Sequence, residues 1–353
     1  MINRIFQLMK PGFISVKYVD ESFLGDKVIV KPLYVSLCHA DQRYYLGKRD
    51  PKVLEKKLPM APIHESCGEV VFDPTNTFKV GDTVSMIPNT PPCNFDERIY
   101  ENYVKGSYFL SSGHDGFMRE FVKITPDRLV KFNDIDLSVA SILEFVSVGF
   151  HAYDRFIKNS LENKETITIF GNGSLGFVMA NVLKYKFPDS KIVVIGRNLE
   201  KLKIFSFVDE VYSSDDIPED FSTDHGFECA GGPGSEDAIN NIIKYIKPQG
   251  SIMLMGVSEN KVAINTRDIL EKGLTLIGCS RSGRVDFQEA VKMLGNKKIA
   301  DNDKLTGKII KKMKEVPGLI EKNRKTVSKL GKKINDKVDI ELDKELLKEI
   351  QEL

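Results

Sequence analysis

Residues 166–176 read Thr-Ile-Thr-Ile-Phe-Gly-Asn-Gly-Ser-Leu-Gly, a β-branched run that leads into three glycines with the spacing G-x-G-x-x-G. An apolar pattern with helical period follows over Phe177–Tyr185. In a strand–turn–helix unit of this kind, Gly171 permits the tight turn and Gly173 lets the backbone approach a pyrophosphate. Gly176 permits close packing of the helix on the strand. The stretch predicts a dinucleotide-binding unit; the alternative is an ordinary glycine-rich turn.

The alternation of strand and helix continues on the C-terminal side of this stretch. The pyrophosphate would lie at the positive N-terminus of the helix, and we predict that Ser174 and Leu175, between the glycines, also bind the cofactor. The further predicted elements are strands over Lys191–Ile195, Gly226–Cys229, Ser251–Met255 and Thr275–Gly278, and a helix over Glu236–Ile246. Because strands that alternate with helices form βαβ units, we predict an α/β domain of the Rossmann type, with a doubly wound parallel sheet, over residues 151–283.

The preceding 150 residues have a different pattern. Short strand-like runs occur over Lys27–Pro32, Gly68–Phe72 and Val80–Ile87, the last with Gly81-Asp82 at the turn. The turns between them are rich in glycine and proline, which predicts a β-rich, irregular domain. Toward the C-terminus the chain is rich in charge, and Lys308–Lys314 and Leu342–Leu353 have the spacing of amphipathic helices. They are either solvated surface helices or a partner-binding tail.

The composition is that of an ordinary globular protein. The 353 residues are 29% charged and 41% hydrophobic, with a formal net charge of +1, so nothing indicates nucleic acid or a membrane surface as partner. No apolar run approaches the ~20 residues that span a bilayer, and no signal peptide is apparent, so we expect a cytoplasmic protein. The five cysteines are scattered, which fits a reducing compartment. Cys93 stands alone, and we expect it to be a small buried hydrophobe.

Three segments of the first domain carry side chains of the types that bind zinc. They are Cys38, His64-Glu65 and Glu144. A thiolate, an imidazole and carboxylates at loop positions can converge on one ion, and a catalytic zinc site keeps one position open. Taken alone, His64 fits an ordinary surface or core histidine as well. His39 would point away from Cys38 on an extended strand, so we exclude it as a ligand.

The end of the second Rossmann strand indicates which dinucleotide binds. NAD-binding sites place Asp or Glu about 20 residues past the glycines, where the carboxylate bonds the ribose 2′-hydroxyl. Here the strand ends in Gly196-Arg197: glycine leaves room for a 2′-phosphate and arginine can pair with it, with Lys201 one helical turn beyond. We predict NADP(H); the alternative is that Arg197 only caps the turn. The nicotinamide would lie at Gly256-Val257, after a later strand.

The order of these elements resembles the zinc-containing medium-chain dehydrogenase/reductases. The stretch Glu-Phe-Val-Ser-Val-Gly-Phe-His-Ala at 144–152 is similar to one that precedes the nucleotide domain in their polyol dehydrogenase branch. The strings at 40–45, 111–118, 227–232 and 278–283 are similar to those of the ribulose-5-phosphate reductases, which supply ribitol 5-phosphate for CDP-ribitol and wall polymers. The resemblance covers about residues 1–294.

This resemblance implies a domain arrangement and a metal site. It implies a zinc-binding GroES-like catalytic domain over residues 1–150 and 284–353, the latter with an atypical charged tail. The implied zinc ligands are Cys38, His64 and Glu65.

Further catalytic roles follow from the same resemblance. Glu144 would be a fourth ligand or would hold the water on the metal. Arg281 would be catalytic, at the active-site cleft near the substrate. Many relatives carry Ser or Thr where Ala40 stands, so the proton relay would use water, Glu65, Glu144 or another group.

The implied activity is reduction of D-ribulose 5-phosphate to D-ribitol 5-phosphate with NADPH. A sugar phosphate carries about two negative charges, so its site needs Arg or Lys beside hydroxyl partners. We predict that Arg43, Tyr44 and Arg281 contact the substrate. The alternatives are an NAD(P)-dependent polyol dehydrogenase that acts on an unphosphorylated sugar alcohol and a non-catalytic nucleotide-binding protein.

The resemblance also bears on assembly. Relatives form dimers by edge pairing of their nucleotide-domain sheets, so we expect a homodimer, with Thr275–Ile277 as the candidate edge. A cytidylyltransferase that takes up the product is a candidate partner.

Overall fold

In the computed structural model, which describes residues 2–22 and 25–295, the chain divides into two units. The described residues up to 144, together with 283–291, form the first unit. Residues 145–282, together with 292–295, form the second. The first division falls slightly before the predicted limit at 150/151. The helices predicted over 308–314 and 342–353 lie outside the described residues.

Short antiparallel strands dominate the first unit. The strands are β1 (Ile2–Lys10), β2 (Phe13–Asp20), β3 (Val28–Ser36), β4 (Glu65–Phe72), β5 (Thr83–Met86), β6 (Asn89–Thr90), β7 (Tyr108–Phe109), β8 (Val122–Ile124) and β9 (Leu129–Lys131). The helices among them are α1 (His39–Tyr45), α2 (Pro51–Lys57) and α3 (Leu137–Ala140). Five strands form one antiparallel sheet in the order β8-β3-β4-β5-β9, and β1 with β2 and β6 with β7 form separate two-stranded sheets.

The structure corrects three predictions in this unit. The strand predicted over Val80–Ile87 begins only at Thr83, because Gly81 turns the chain with a φ of 91° and leaves Val80 70% exposed. His39 is not on an extended strand, since it begins α1. Cys93 is exposed rather than buried, because it lies in the irregular loop between β6 and β7.

Parallel strands and helices make up the second unit. In chain order its elements are α4 (Leu143–Asn159, which begins at the division), β10 (Thr166–Phe170), α5 (Ser174–Lys186), β11 (Lys191–Gly196), α6 (Leu199–Leu202), β12 (Glu210–Ser213), β13 (Thr223–Glu228), α7 (Ser235–Tyr245), β14 (Ile246–Leu254), α8 (Thr266–Lys272) and β15 (Thr275–Gly278). The last described element, α9 (Arg284–Gly295), follows after the chain returns to the first unit.

The six strands of the second unit form one parallel sheet in the order β12-β11-β10-β13-β14-β15. Strand order reverses between β10 and β13, and ligands of such sheets bind at the carboxyl ends of the strands at that point. The predicted Rossmann-type sheet is thereby confirmed. The buried face of α5 packs on this sheet, with Phe177, Val178 and Leu183 fully or almost fully buried. Within the described residues, every helix is too short or too polar to cross a bilayer.

Candidate functional site

A cysteine, a histidine and a glutamate converge in the first unit. Cys38 lies between β3 and α1 in an extended conformation, and His64 immediately precedes β4, which begins at Glu65. Antiparallel pairing sets Ser36 opposite Glu65, so the end of β3 and the start of β4 bring the three side chains together. Their ligand atoms all lie within 4.8 Å of one another, and His64 and Glu65 are buried.

Asp41 supports this group from the first turn of α1. Its carboxylate lies 3.2 Å from Nδ1 of His64 and accepts hydrogen bonds from the Ser111 hydroxyl at 2.6 Å and the Ile63 N–H at 3.0 Å. The contact with Asp41 engages Nδ1 and leaves Nε2 of His64 available to a metal. A carboxylate behind a ligating histidine is the usual arrangement of such sites, where it fixes the tautomer and the ring orientation.

The backbone beside His64 is strained. Ile63 has a φ of 75°, a left-handed conformation that a β-branched residue rarely adopts. Its N–H donates to Asp41, and its carbonyl accepts a 2.7 Å hydrogen bond from the N–H of Phe117. These two bonds hold the strained residue in place, and strain of this kind clusters at functional sites.

Burial and charge perturb every titratable group of this cluster. Burial raises the pKa of the Cys38 thiol to about 11, against a smaller opposing effect of a hydrogen bond with His64. Burial also raises the pKa of the Glu65 carboxyl despite the neighbouring His64. Burial opposes the imidazolium of His64, but the charge and hydrogen bond of Asp41 raise the pKa of His64 well above its ordinary value. The pKa of Asp41 is lowered in return, although burial acts against this.

The chemistry of the three donors fits zinc. Thiolate, imidazole and carboxylate are zinc ligands, and three protein ligands with one open position are typical of a catalytic site. Metal binding there would draw the proton from Cys38, because the thiolate is the form that ligates. In the part of the chain that the structure describes, this is the one group of three such side chains close enough to hold an ion.

The other predicted catalytic and substrate residues are not among these three donors. Glu144 is the second residue of α4 and is 5% exposed, but it is outside the three-residue group, and its role at the metal stays a prediction. Arg281 is exposed in the second unit, with a φ of 61°. Tyr44 and Arg43 lie at the end of α1; Tyr44 is buried, and Nε of Arg43 donates to the Lys48 carbonyl at 3.3 Å.

A cavity of about 450 Å³ opens at the carboxyl ends of the parallel strands, inside the second unit. Of the predicted cofactor residues, Gly171, Gly173, Gly196, Arg197 and Lys201 line it. Ser174 and Leu175 begin α5, ahead of the helical pattern predicted over Phe177–Tyr185, and like Gly176, Gly256 and Val257 they are not among the lining residues.

The three glycines differ in what the space around them permits. A Cβ on Gly171 would lie 2.5 Å from the Cys229 carbonyl carbon, so this turn passes directly against the end of β13. A Cβ on Gly176 would lie 1.8 Å from the Gly171 oxygen, which is the close packing of helix on strand that we predicted. Gly173 has open space on its Cβ side, at the N-terminus of α5. That space is where a pyrophosphate would meet backbone N–H groups.

The end of β11 carries cationic side chains into the cavity. Gly196 ends the strand, and a Cβ there would lie 2.2 Å from Cγ of Asn172, so only glycine fits beside this side chain. A Cβ on Gly234 would lie 3.0 Å from Nη2 of Arg197, so the absence of a side chain at 234 makes room for the guanidinium. Arg197 and Lys201 therefore both face the cavity, as a 2′-phosphate site requires.

Glu228 holds the two loops beside Gly256. Its buried carboxylate accepts hydrogen bonds from the N–H groups of Ala230 (3.0 Å), Gly231 (2.8 Å) and Gly256 (2.7 Å) and from the Ser235 hydroxyl (3.2 Å). A Cβ on Gly256 would lie 2.4 Å from this carboxylate. The loops after β13 and β14 thus share one buried anchor.

Sequence reasoning missed several residues of these sites. Asp41 was overlooked as the partner of His64, although its place three residues after Cys38 was a usable signal. The cavity is also lined by Asn172, Ser214, Asp215, Asp237 and Asn241. Asp237 and Asn241 are four residues apart on α7 and so share a helical face, but nothing in the sequence indicates which face meets the cavity.

Comparison with known proteins gives two family matches. Residues 25–134 match the alcohol dehydrogenase GroES-like domain, and residues 191–296 match the zinc-binding dehydrogenase family. The chain is 57% identical to ribulose-5-phosphate reductase of Streptococcus pneumoniae over 302 residues, which cover 85% of this chain and 87% of that protein. It is 54% identical to ribulose-5-phosphate reductase 1 of Staphylococcus aureus, over 82% of this chain and 85% of that one.

A solved structure is similar as well. The crystal structure of S. aureus TarJ in complex with NADPH matches with a TM-score of 0.75 and 46% identity, and the match covers 88% of each chain. The expected combination of a GroES-like domain and a Rossmann-type domain is confirmed. The chain belongs to the zinc-binding dehydrogenases with an alcohol dehydrogenase GroES-like domain and, among them, to the family of the ribulose-5-phosphate reductases.

Proposed function

We propose that this protein reduces D-ribulose 5-phosphate to D-ribitol 5-phosphate with NADPH and so supplies ribitol 5-phosphate for CDP-ribitol and wall polymers. The observation that carries the proposal is the intact Cys38–His64–Glu65 group in a chain 57% identical to a ribulose-5-phosphate reductase. A chain that had lost catalysis and only bound a nucleotide would have no need of these three converging donors.

The metal group supports a reaction at a ketone. A zinc ion held by Cys38, His64 and Glu65 would polarise the ketone oxygen as a Lewis acid. Asp41 keeps the His64 ring oriented, and burial of His64 and Glu65 excludes bulk water from this position. In the overall reaction the ketone carbon gains a hydride, its oxygen gains a proton, and NADPH becomes NADP⁺.

The cavity of the second unit supports NADPH as the hydride donor. Arg197 and Lys201 give it two cations where NAD-specific sites carry a carboxylate. Gly173 keeps open space for the phosphates at the N-terminus of α5, because it carries no side chain. The similar TarJ structure contains NADPH, which agrees with this choice.

The decisive experiment follows oxidation of NADPH and NADH with ribulose 5-phosphate and with ribulose. We expect turnover with NADPH and ribulose 5-phosphate, loss of bound zinc and of turnover in Cys38→Ala, and neither loss in Cys93→Ala, whose side chain is exposed and outside the metal group. Equal efficiency with ribulose would instead favour a polyol dehydrogenase. A zinc-free wild-type protein without turnover would favour a non-catalytic nucleotide-binding protein.

The proposal extends to assembly and location. We propose a homodimer formed through β15, which is at an edge of the six-stranded sheet and pairs with β14 alone among the described strands. A cytoplasmic location and a cytidylyltransferase partner would fit an enzyme that supplies a nucleotide-activated polyol, and both stay predictions.

A further inference from the structure

One lysine of the first unit is held by hydroxyl groups alone. Nζ of Lys57, the last residue of α2, donates to the Tyr44 hydroxyl at 3.0 Å and to the Ser112 hydroxyl at 2.7 Å. Among the described residues, no carboxylate lies within ion-pair distance of this ammonium. A half-buried cation without a counter-ion is an arrangement that an anionic ligand would complete.

A second cation adjoins the same tyrosine. The Arg49 guanidinium lies 4.9 Å from the centroid of the Tyr44 ring, and Nζ of Lys57 lies 5.8 Å from it. Tyr44 itself is 4% exposed, so two positive charges converge on a buried ring. Like charges gathered in this way raise the potential for an anion at the site.

The unused donors of the cluster point to the same ligand. An ammonium has three N–H donors, and Lys57 uses two of them on the hydroxyls. Tyr44 and Ser112 accept from the lysine, and within the described chain neither hydroxyl has an acceptor for its own proton. One N–H and two O–H donors therefore remain in one small cluster, which matches the several acceptor oxygens of a phosphate group.

The cluster is adjacent to the metal group through two separate connections. Tyr44 and Asp41 belong to the same short helix, α1. Ser112 follows Ser111, whose hydroxyl donates to Asp41, and Asp41 contacts His64. The cluster is thus linked, within the same unit, to the residues that orient His64.

We propose that Lys57, Tyr44 and Ser112, with Arg49 behind the tyrosine ring, bind the phosphate group of the ketose phosphate. This inference rests on the proposed function and adds to it the residues that select a phosphorylated substrate. Lys57 and Ser112 join Tyr44, which the sequence had already indicated, as substrate-binding residues.

The test compares Lys57→Met with Lys56→Met, a change of the same kind at the exposed preceding residue. For the full-length zinc-loaded enzyme, kcat/KM is measured with ribulose 5-phosphate and with ribulose. Because one hydrogen bond to a charged group is lost, we expect the ratio of the two values to fall about 10- to 100-fold in Lys57→Met and to stay at the wild-type value in Lys56→Met. Tyr44→Phe removes one hydroxyl donor and should lower the ratio less.

Inorganic phosphate gives a second readout that needs no turnover of ribulose. It should compete with ribulose 5-phosphate in the wild type, and its inhibition constant should rise in Lys57→Met but not in Lys56→Met. A wild-type ratio in Lys57→Met, with unchanged phosphate inhibition, would overturn the inference while leaving the proposed function intact. An absence of preference for ribulose 5-phosphate in the wild type would instead contradict the proposed function itself.

Discussion

At the residue scale, the metal group depends on a side chain that is not one of its donors. His64 presents Nε2 only because Asp41 engages Nδ1, and Asp41 is held by Ser111 and by the strained Ile63. All four residues are buried, so the carboxylate cannot be replaced by solvent. Orientation of the donor is therefore built into the fold before any metal binds.

Replacing Asp41 with Asn should weaken zinc binding without removing a donor. Loss of such an outer partner typically costs 10- to 100-fold in metal affinity, and we expect a decrease of about that size. Competition with a chelator measures it. Asp50→Asn is the control, because Asp50 caps α2 on the surface and its carboxylate accepts only from the Lys52 N–H among its described contacts. Wild-type zinc retention in Asp41→Asn would show that His64 needs no support.

The choice of cofactor is also decided by single residues. Replacing Gly196 with aspartate is a poor test of NADPH preference, because the Cβ of the new side chain would collide with Asn172. Arg197→Gln removes the charge without that collision. We expect the preference for NADPH over NADH, measured as the ratio of kcat/KM values, to fall about tenfold to a hundredfold.

A matched control for Arg197→Gln is Lys203→Gln. Lys203 is 70% exposed at its side chain, forms an ion pair with Glu200, and does not line the cavity. Its replacement should leave the cofactor preference as it is. If both variants lost NADPH preference equally, the net positive charge of this face, rather than contact with the 2′-phosphate, would be responsible.

At the element scale, the apolar strands could be predicted and the polar ones could not. The predicted limits of β10 and β15 agree with the structure residue by residue, because both are short runs rich in β-branched or aliphatic residues. The start of β13 was missed, since Thr223, Asp224 and His225 have no apolar pattern. They are buried through hydrogen bonds instead, such as Thr223 with Thr168 and His225 with the Ser251 N–H.

The residues of the candidate site also divide into those that the sequence identifies and those that it does not. The three metal donors could be named from residue type together with the family resemblance, and Arg197 and Lys201 from their positions just after β11. The side chains that support the site from a distance could not, because Ser111 and Glu228 act through contacts that exist only after distant segments have paired. Lys57 and Ser112 are 55 positions apart in the chain, so no local pattern joins them.

Glu228 connects the loops after β13 and β14, so we predict that its replacement weakens NADPH binding. In Glu228→Gln one oxygen can still serve Ala230, Gly231 and Ser235, but an amide NH₂ would then face the N–H of Gly256. We expect the Kd for NADPH to rise about tenfold, because a buried donor is left without its acceptor.

Two further measurements separate positioning of this loop from general damage. Adenosine 2′,5′-bisphosphate lacks the nicotinamide, so its affinity should not change in Glu228→Gln if the loop at Gly256 meets only that part of the cofactor. Glu210→Gln makes the same chemical change on β12, outside the cavity, and should affect neither ligand. Equal losses for both ligands in Glu228→Gln would refute the positioning role.

At the scale of the whole molecule, the first unit is completed by residues that follow the second in the chain. Phe287 is fully buried in one cluster with Ile87 and Val130. Asp286 accepts from the Tyr100 hydroxyl at 2.7 Å, and a Cβ on Gly283 would lie 2.3 Å from the Glu101 carboxylate. Residues 283–287 therefore make specific contacts within the first unit. In chain order, the second unit is an insertion into the first.

The six-stranded sheet of the second unit has two edge strands, β12 and β15, and the homodimer is proposed to form through β15. β15 exposes the backbone groups of an edge strand, which proteins usually pair, cover or protect with charge. Gly278, its last residue, is exposed, and a Cβ there would meet no atom within 4 Å. A charged side chain can therefore be introduced at this edge without disturbing the chain itself.

Gly278→Lys should convert a dimer into monomers. We expect the wild type to sediment at twice the chain mass of 39.8 kDa and the variant at the chain mass, because a lysine on each β15 would place charge at the paired edges, where charge opposes edge-to-edge pairing. Val211→Lys places the same charge on β12, the opposite edge, where Val211 is 41% exposed, and should leave the dimer intact. Dissociation by Val211→Lys alone would move the interface to the other edge, and a monomeric wild type would exclude edge pairing altogether.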